Sequence, residues 1–260
     1  MMKNSNKARV RNFTIIVLIL IILFSGWMLF RELLEYSESR KMYTEVAENA
    51  VIKAPLKLEN QISDSDTDSI GTCEAEISVD FNHLESVNPD IIAWIRREDG
   101  KLNYPIVQSE DNNYYLYRSV DKRNNKCGSI FMDAVNNADF SDDITLIYGH
   151  NMNDGSMFAS LKGYEDKDKV GFLPEIRIFT PNNVFAFEVK YVYLHSGSTA
   201  ISTNFSDEEW EKYISSIEAK SMYVSSKRPL RGEKLVALIT CEYAFENARL
   251  VVLGTIDKQY

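Results

Sequence analysis

The run "FTIIVLILIILFSGWMLF", Phe13 to Phe30, holds 18 residues without a charge. A helix rises about 1.5 Å per residue, so this run reaches roughly 27 Å, close to the hydrocarbon thickness of a bilayer. It divides the chain, because whatever folds in water must lie outside it. Lys3, Lys7, Arg9 and Arg11 precede it with no acid among them, while Arg31, Glu32 and Glu35 follow. That bias keeps residues 1–12 in the cytoplasm and sends the remainder across the membrane. A cleaved leader has a shorter apolar stretch ending in small residues, and Trp27, Met28, Leu29 and Phe30 stand at that place. The reading is a single-pass signal anchor over 13–30, with the N-terminus cytoplasmic and the rest extracellular.

Beyond the anchor the charge turns negative. The formal total is -9, and the residues after Phe30 hold 25 basic against 38 acidic side chains. A phosphate backbone needs a basic face, so nucleic acid is excluded as a partner. Exported proteins use cysteines in pairs, yet Cys73, Cys127 and Cys241 are odd in number and far apart. At least one thiol is therefore free or paired with another chain. The three cysteines and three histidines lack zinc-ligand spacing, so no metal site is read.

Residues 31–50 read as a charged helix, and 53–78 as a polar, acidic linker. "DSDTDS" begins like a calcium loop, but Ser69 and Ala75 stand where such a loop needs Gly and Glu. Residues 31–78 thus join the anchor to a domain over 79–260. That domain opens with a helical segment that must loosen at Asn88–Pro89. Eight β-like runs follow: "IIAWIRR", "LNYPIVQ", "GSIFMD", "ITLIYG", "EIRIFTP", "VFAFEVKYVYLH", "KLVALIT" and "RLVVLGTI". Their short length and alternation predict a mostly β fold, a barrel or sandwich. One helix interrupts them near 206–222. Ser206 and Glu209 form its capping box, and Trp210, Tyr213, Ile214 and Ile217 recur at helical spacing as a face for packing.

Cys241 ends an apolar strand and Arg249 opens the next. A thiol titrates near 8.5, so a nucleophilic cysteine needs a base or cation beside it. His150 ends another apolar strand, after Gly149 and before a loop. If the two strands end on the same side, the side chains meet. Arg249 then offers a permanent charge and several donors to a developing oxyanion. The bland alternatives are a buried thiol, a structural histidine and a strand-edge arginine. His83 reads as a surface residue, His195 as a surface residue or a secondary base, and Cys127 as a partly buried thiol.

These segments together resemble the sortases, cysteine transpeptidases of Gram-positive cell surfaces. "NPDIIAWI", "NYPIVQSEDNNYYL", "GSIFMD", "YGHNMNDGSMFASLKGY" and "ITCEYAFENARLVVLG" occur in the right order over 79–256 and are most similar to class B. The resemblance implies an eight-stranded sortase-type β-barrel with an N-terminal helical segment and a helix inserted before the Cys-bearing strand. It implies Cys241 as nucleophile, His150 as catalytic histidine and Arg249 as the oxyanion-stabilising, substrate-positioning arginine. Thr240, matching the Thr before the family's Cys, becomes either a site-lining residue or a strand-packing one, and the Glu242 backbone N–H a second oxyanion donor. No cofactor is implied. The partners implied are exported surface proteins bearing a sorting motif cleaved at Thr, and a peptidoglycan amine or, in pilus-building relatives, a subunit lysine. Two other classes stay open from the residues: an anchored cysteine peptidase that only hydrolyses, and a non-catalytic surface binding domain.

Overall fold

The computed structural model describes residues 3–53, 77–241 and 246–259; "DSDTDS", Cys73 and Glu242 lie outside the described residues. The chain divides into two compact units, Met1–Met42 and Tyr43–Tyr260. Helix α1, Lys3–Ala50, supplies the first unit and the start of the second. From Phe13 to Phe30 its large apolar side chains are exposed. Among the described residues, α1 is the helix whose length and composition suffice to cross a membrane.

In the second unit, β1 (Val51–Lys53) pairs antiparallel with β2 (Ile77–Val79). Helix α2, Phe81–Val87, is capped by Asp80, whose carboxylate accepts from the His83 amide at 2.9 Å. It ends at Asn88, which is extended, as a residue before proline must be. Strands β3 (Ile91–Arg97), β4 (Asn103–Val107), β5 (Ile130–Met132), β6 (Ile144–Tyr148), β7 (Ile176–Phe179) and β8 (Val184–Ser196) follow. Helix α3 (Asp207–Lys220) and the two-residue β9 (Tyr223–Val224) precede β10 (Leu235–Cys241) and β11 (Ala248–Gln259).

The ring runs β11-β10-β6-β5-β4-β3-β7-β8, and β8 closes it by pairing with β11. This is a closed eight-stranded barrel, with β9 attached to β8 at Tyr191 and Val192. Two pairs are parallel, β4–β5 and β6–β10, and the rest are antiparallel. All eight β-like runs of the sequence become the eight barrel strands. The "TPNNVF" turn between β7 and β8 closes through the Thr180 amide to the Asn183 carbonyl, 2.8 Å.

Strand alternation sends every second residue to one face. Ile144 and Leu146 on β6, Leu235, Ala237 and Ile239 on β10, Val251 and Leu253 on β11, and Tyr191 and Tyr193 on β8 share the outer face. Helix α3 covers that patch with Trp210, Ile214 and Ile217. Its N-terminus is the expected capping box: the Ser206 hydroxyl accepts from the Glu209 amide, and the Glu209 carboxylate accepts from the Ser206 amide at 2.9 Å. Ile214 is fully buried, a contribution of about 1.5–3 kcal/mol by area.

Candidate active site

Continued by one more step, the same alternating rows run out from under α3. After Leu235, Ala237 and Ile239 comes Cys241; before Leu253 and Val251 comes Arg249; after Tyr191 and Tyr193 comes His195; after Leu146 and Tyr148 comes His150. Cys241 is the direct cross-strand partner of Arg249, and Arg249 that of His195. Directly opposed residues of antiparallel strands share a face, so these three side chains form one row. β6 runs parallel to β10 with Tyr148 beside Ile239, and the Gly149 amide donates to the Ile239 carbonyl at 3.1 Å. The parallel pairing brings both strands out at one end, so His150 and Cys241 open onto the same cleft. The four residues line one cleft of about 510 Å³, walled on the far side by Gly197 to Ile201.

Local bonds fix this end of the sheet. The Asn151 side-chain Nδ2 donates to the Cys241 carbonyl at 2.9 Å, tying the loop after β6 to the end of β10. The His150 Nε2–H donates to the Leu116 carbonyl at 2.7 Å. Because a carbonyl only accepts, this bond selects the tautomer and leaves Nδ1 as the nitrogen that exchanges a proton. The Tyr117 ring lies against the imidazole, with centroids 5.9 Å apart. Gly149 lets the chain pass Phe158: a Cβ there would come within 2.7 Å of that fully buried ring.

Tyr148, one strand residue before Gly149, donates to Asp133 at 2.9 Å and stacks on Phe131. Burial, and then the neighbouring Asp133 carboxylate, push its phenol well above the ordinary range. It stays a neutral wall of the cleft. Arg249 is half-buried, and its Nη1 donates to the Ala248 carbonyl at 3.1 Å. Thr240 contributes to the cleft lining, but alternation turns its side chain to the barrel interior, where the hydroxyl is buried without a partner. Cys127 is fully buried rather than partly so. Among the described residues, no three His, Cys, Asp or Glu side chains are grouped as a metal ion would require.

The sequence alone did not point to Asn151, Tyr117 or the Leu116 carbonyl as parts of this site. His195 had a visible signal, since it continues the alternate row of β8. The arrangement groups a half-buried free thiol, an imidazole with a fixed tautomer and a guanidinium at one end of a closed barrel. That is the equipment of a cysteine-dependent acyl transferase.

The Sortase domain family model matches residues 95–257. The sortase B of Listeria monocytogenes is 31% identical over 248 residues, covering 93% of this chain and 94% of that protein. The sortase B of Staphylococcus aureus is 30% identical over 185 residues, covering 68% and 75%. Among solved structures, sortase B from Bacillus anthracis superposes with a TM-score of 0.70 at 31% identity, covering 87% of this chain and 100% of that one. Sortase B of Clostridium perfringens gives 0.64 at 32%, covering 68% and 100%. The chain belongs to the sortase family of cysteine transpeptidases, and within it to class B.

Proposed function

We propose that Cys241, His150 and Arg249 carry out transpeptidation on exported proteins bearing a C-terminal sorting motif. The Cys241 sulfur attacks the carbonyl carbon of the motif's Thr, its proton passing to His150. Arg249 holds the substrate and the carbonyl oxygen as that oxygen gains charge. His150 returns the proton to the departing amine, leaving the acyl half on sulfur. An amine of peptidoglycan then attacks the thioacyl carbon, its proton passing through His150 to the Cys241 sulfur as the carbon–sulfur bond breaks. One difficult acyl transfer becomes two easier ones. The Glu242 amide is assigned as a second oxyanion donor, and Thr240 as packing behind the nucleophile.

In this reading residues 1–12 are cytoplasmic and 13–30 cross the membrane. Residues 31–78 connect that span to the extracellular catalytic barrel, 79–260. The observation that carries the reading is the cross-strand row Cys241–Arg249, with His150 emerging beside it from the parallel neighbour β6. The test uses the full chain in lipid nanodiscs, a sorting-motif peptide and an added amine. A transpeptidase makes more amide than free acid, and the fraction rises with amine concentration. Free acid alone at every concentration identifies a hydrolase; binding without cleavage identifies a non-catalytic surface domain.

A further inference from the structure

We infer that Tyr43, in the last turns of α1, is a positioning residue for His150, acting through the Gly128–Ser129 backbone and the Leu116 carbonyl. The inference rests on the role proposed for His150. Tyr43 is buried, and its hydroxyl donates to the Gly128 carbonyl at 2.7 Å. The same oxygen lies 3.1 Å from the Ser129 hydroxyl and accepts from the Val120 amide at 3.3 Å. Ser129 in turn donates to the Arg118 carbonyl at 2.8 Å. Segment 115–129 folds back on itself, the Ser129 amide donating to the Tyr115 carbonyl and the Asn125 amide to the Tyr117 carbonyl. One phenol oxygen therefore pins both arms of this segment.

The segment is the platform of the imidazole. Leu116 supplies the carbonyl that fixes its tautomer, and Tyr117 the ring against it. Gly128 has φ +58, and a Cβ there would come 2.5 Å from the Leu116 oxygen and 3.1 Å from His150 Cδ2. The backbone that Tyr43 holds thus packs directly behind both partners of the His150 hydrogen bond. Releasing Gly128 frees the Leu116 carbonyl to turn, and with it the preference for the Nε2–H tautomer. The Tyr43 ring is held separately, edge-on to Tyr104 at 5.4 Å, so removing the hydroxyl alone leaves the packing in place. A fragment starting at residue 79 lacks this anchor altogether.

The test is Tyr43→Phe in the full chain in nanodiscs, with histidine labelled with nitrogen-15 and the His150 signals assigned by their loss in His150→Gln. Wild type is expected to show a single Nε2–H tautomer, and Tyr43→Phe a mixture. The rate of single-turnover acylation by a sorting-motif peptide should fall about tenfold, within the effect of a small misplacement of a reacting group, while peptide affinity holds. A merely structural tyrosine would lower the thermal midpoint and leave tautomer and rate unchanged; that result overturns the inference. Should Tyr43→Phe not fold, Ser129→Ala must give part of the tautomer change, and an unaltered His150 spectrum overturns the inference. If wild type forms no acyl adduct, the proposed chemistry falls, and the His150 spectra still decide whether Tyr43 positions the ring.

Discussion

Cys241 and Arg249 face each other directly across the antiparallel β10–β11 pair, as the last pair of that register. Their separation in sequence is short, and their relation is set by the ladder rather than by loop conformation. A guanidinium held in this way presents a fork of donors in a fixed plane, which an ammonium on a flexible stem does not. Arg249→Lys is expected to lower kcat/KM about 10²- to 10³-fold, the cost of removing one oxyanion donor. Steady-state kinetics on a sorting-motif peptide, with circular dichroism to confirm folding, check this.

Asn151 connects the histidine-bearing loop to the carbonyl of Cys241, the proposed nucleophile. Asn151→Ala removes one hydrogen bond, a loss of about 1 kcal/mol in stability. Asn151→Asp sets a carboxylate against a carbonyl, two acceptors facing each other, and is expected to impair turnover more than Asn151→Ala. Equal activity of the two variants would show that the contact does not hold Cys241 in place.

Gly128 combines a left-handed backbone with close neighbours on the site side. Gly128→Ala is expected to cost about 2 kcal/mol or more, from the backbone preference plus the clash at Leu116. It should also depress turnover. Gly100, at φ +73 with open space around it, is the control. Gly100→Ala carries the backbone penalty alone and should leave activity per folded molecule unchanged.

Asp142 predicts how the fold responds to acid. Burial by itself would raise its pKa, but hydrogen bonds from Asn136, Asn204 and Asn137 outweigh that and hold it below the usual carboxylate range. The donors are Asn136 Nδ2 at 2.9 Å, the Asn137 backbone amide at 2.7 Å, Asn137 Nδ2 at 3.0 Å and Asn204 Nδ2 at 2.9 Å. A folded-state value below the unfolded one adds stability that is fully present above the unfolded pKa, near 4. That stability is lost as the pH falls through the folded value. Asp142→Ala should therefore cost about 1–3 kcal/mol at neutral pH by stranding the buried Asn136 donor. Denaturant melts at pH 7 and pH 3 should show the gap between variant and wild type narrowing in acid.

Much of this architecture is written in local patterns. Each barrel strand matches an apolar run in the sequence, because β-branched and aromatic residues alternate there and turn residues separate them. Ser206 and Glu209 announce α3 because a capping box is a contact between residues three apart. What local pattern does not carry is which strands adjoin. His150 and Cys241 come to line one cleft through the parallel β6–β10 pairing, although they stand 91 positions apart. Resemblance to sortases supplied the expectation that the two side chains act together, but not the strand pairing. Residues such as Tyr43 and Leu116 act through a hydroxyl or a backbone carbonyl placed by tertiary packing, so residue type and spacing alone could not assign them. The short β1–β2 and β9 pairings leave no run long enough to read.

The most direct measurement is the site of acylation. The full chain in nanodiscs is mixed with a sorting-motif peptide without acceptor amine, quenched in acid and mapped by peptide mass spectrometry. The peptide's N-terminal half should appear on the fragment containing Cys241 and vanish in Cys241→Ala. Cleavage of the peptide with no adduct on that sulfur, or with the adduct on Cys73 or Cys127, would contradict the account.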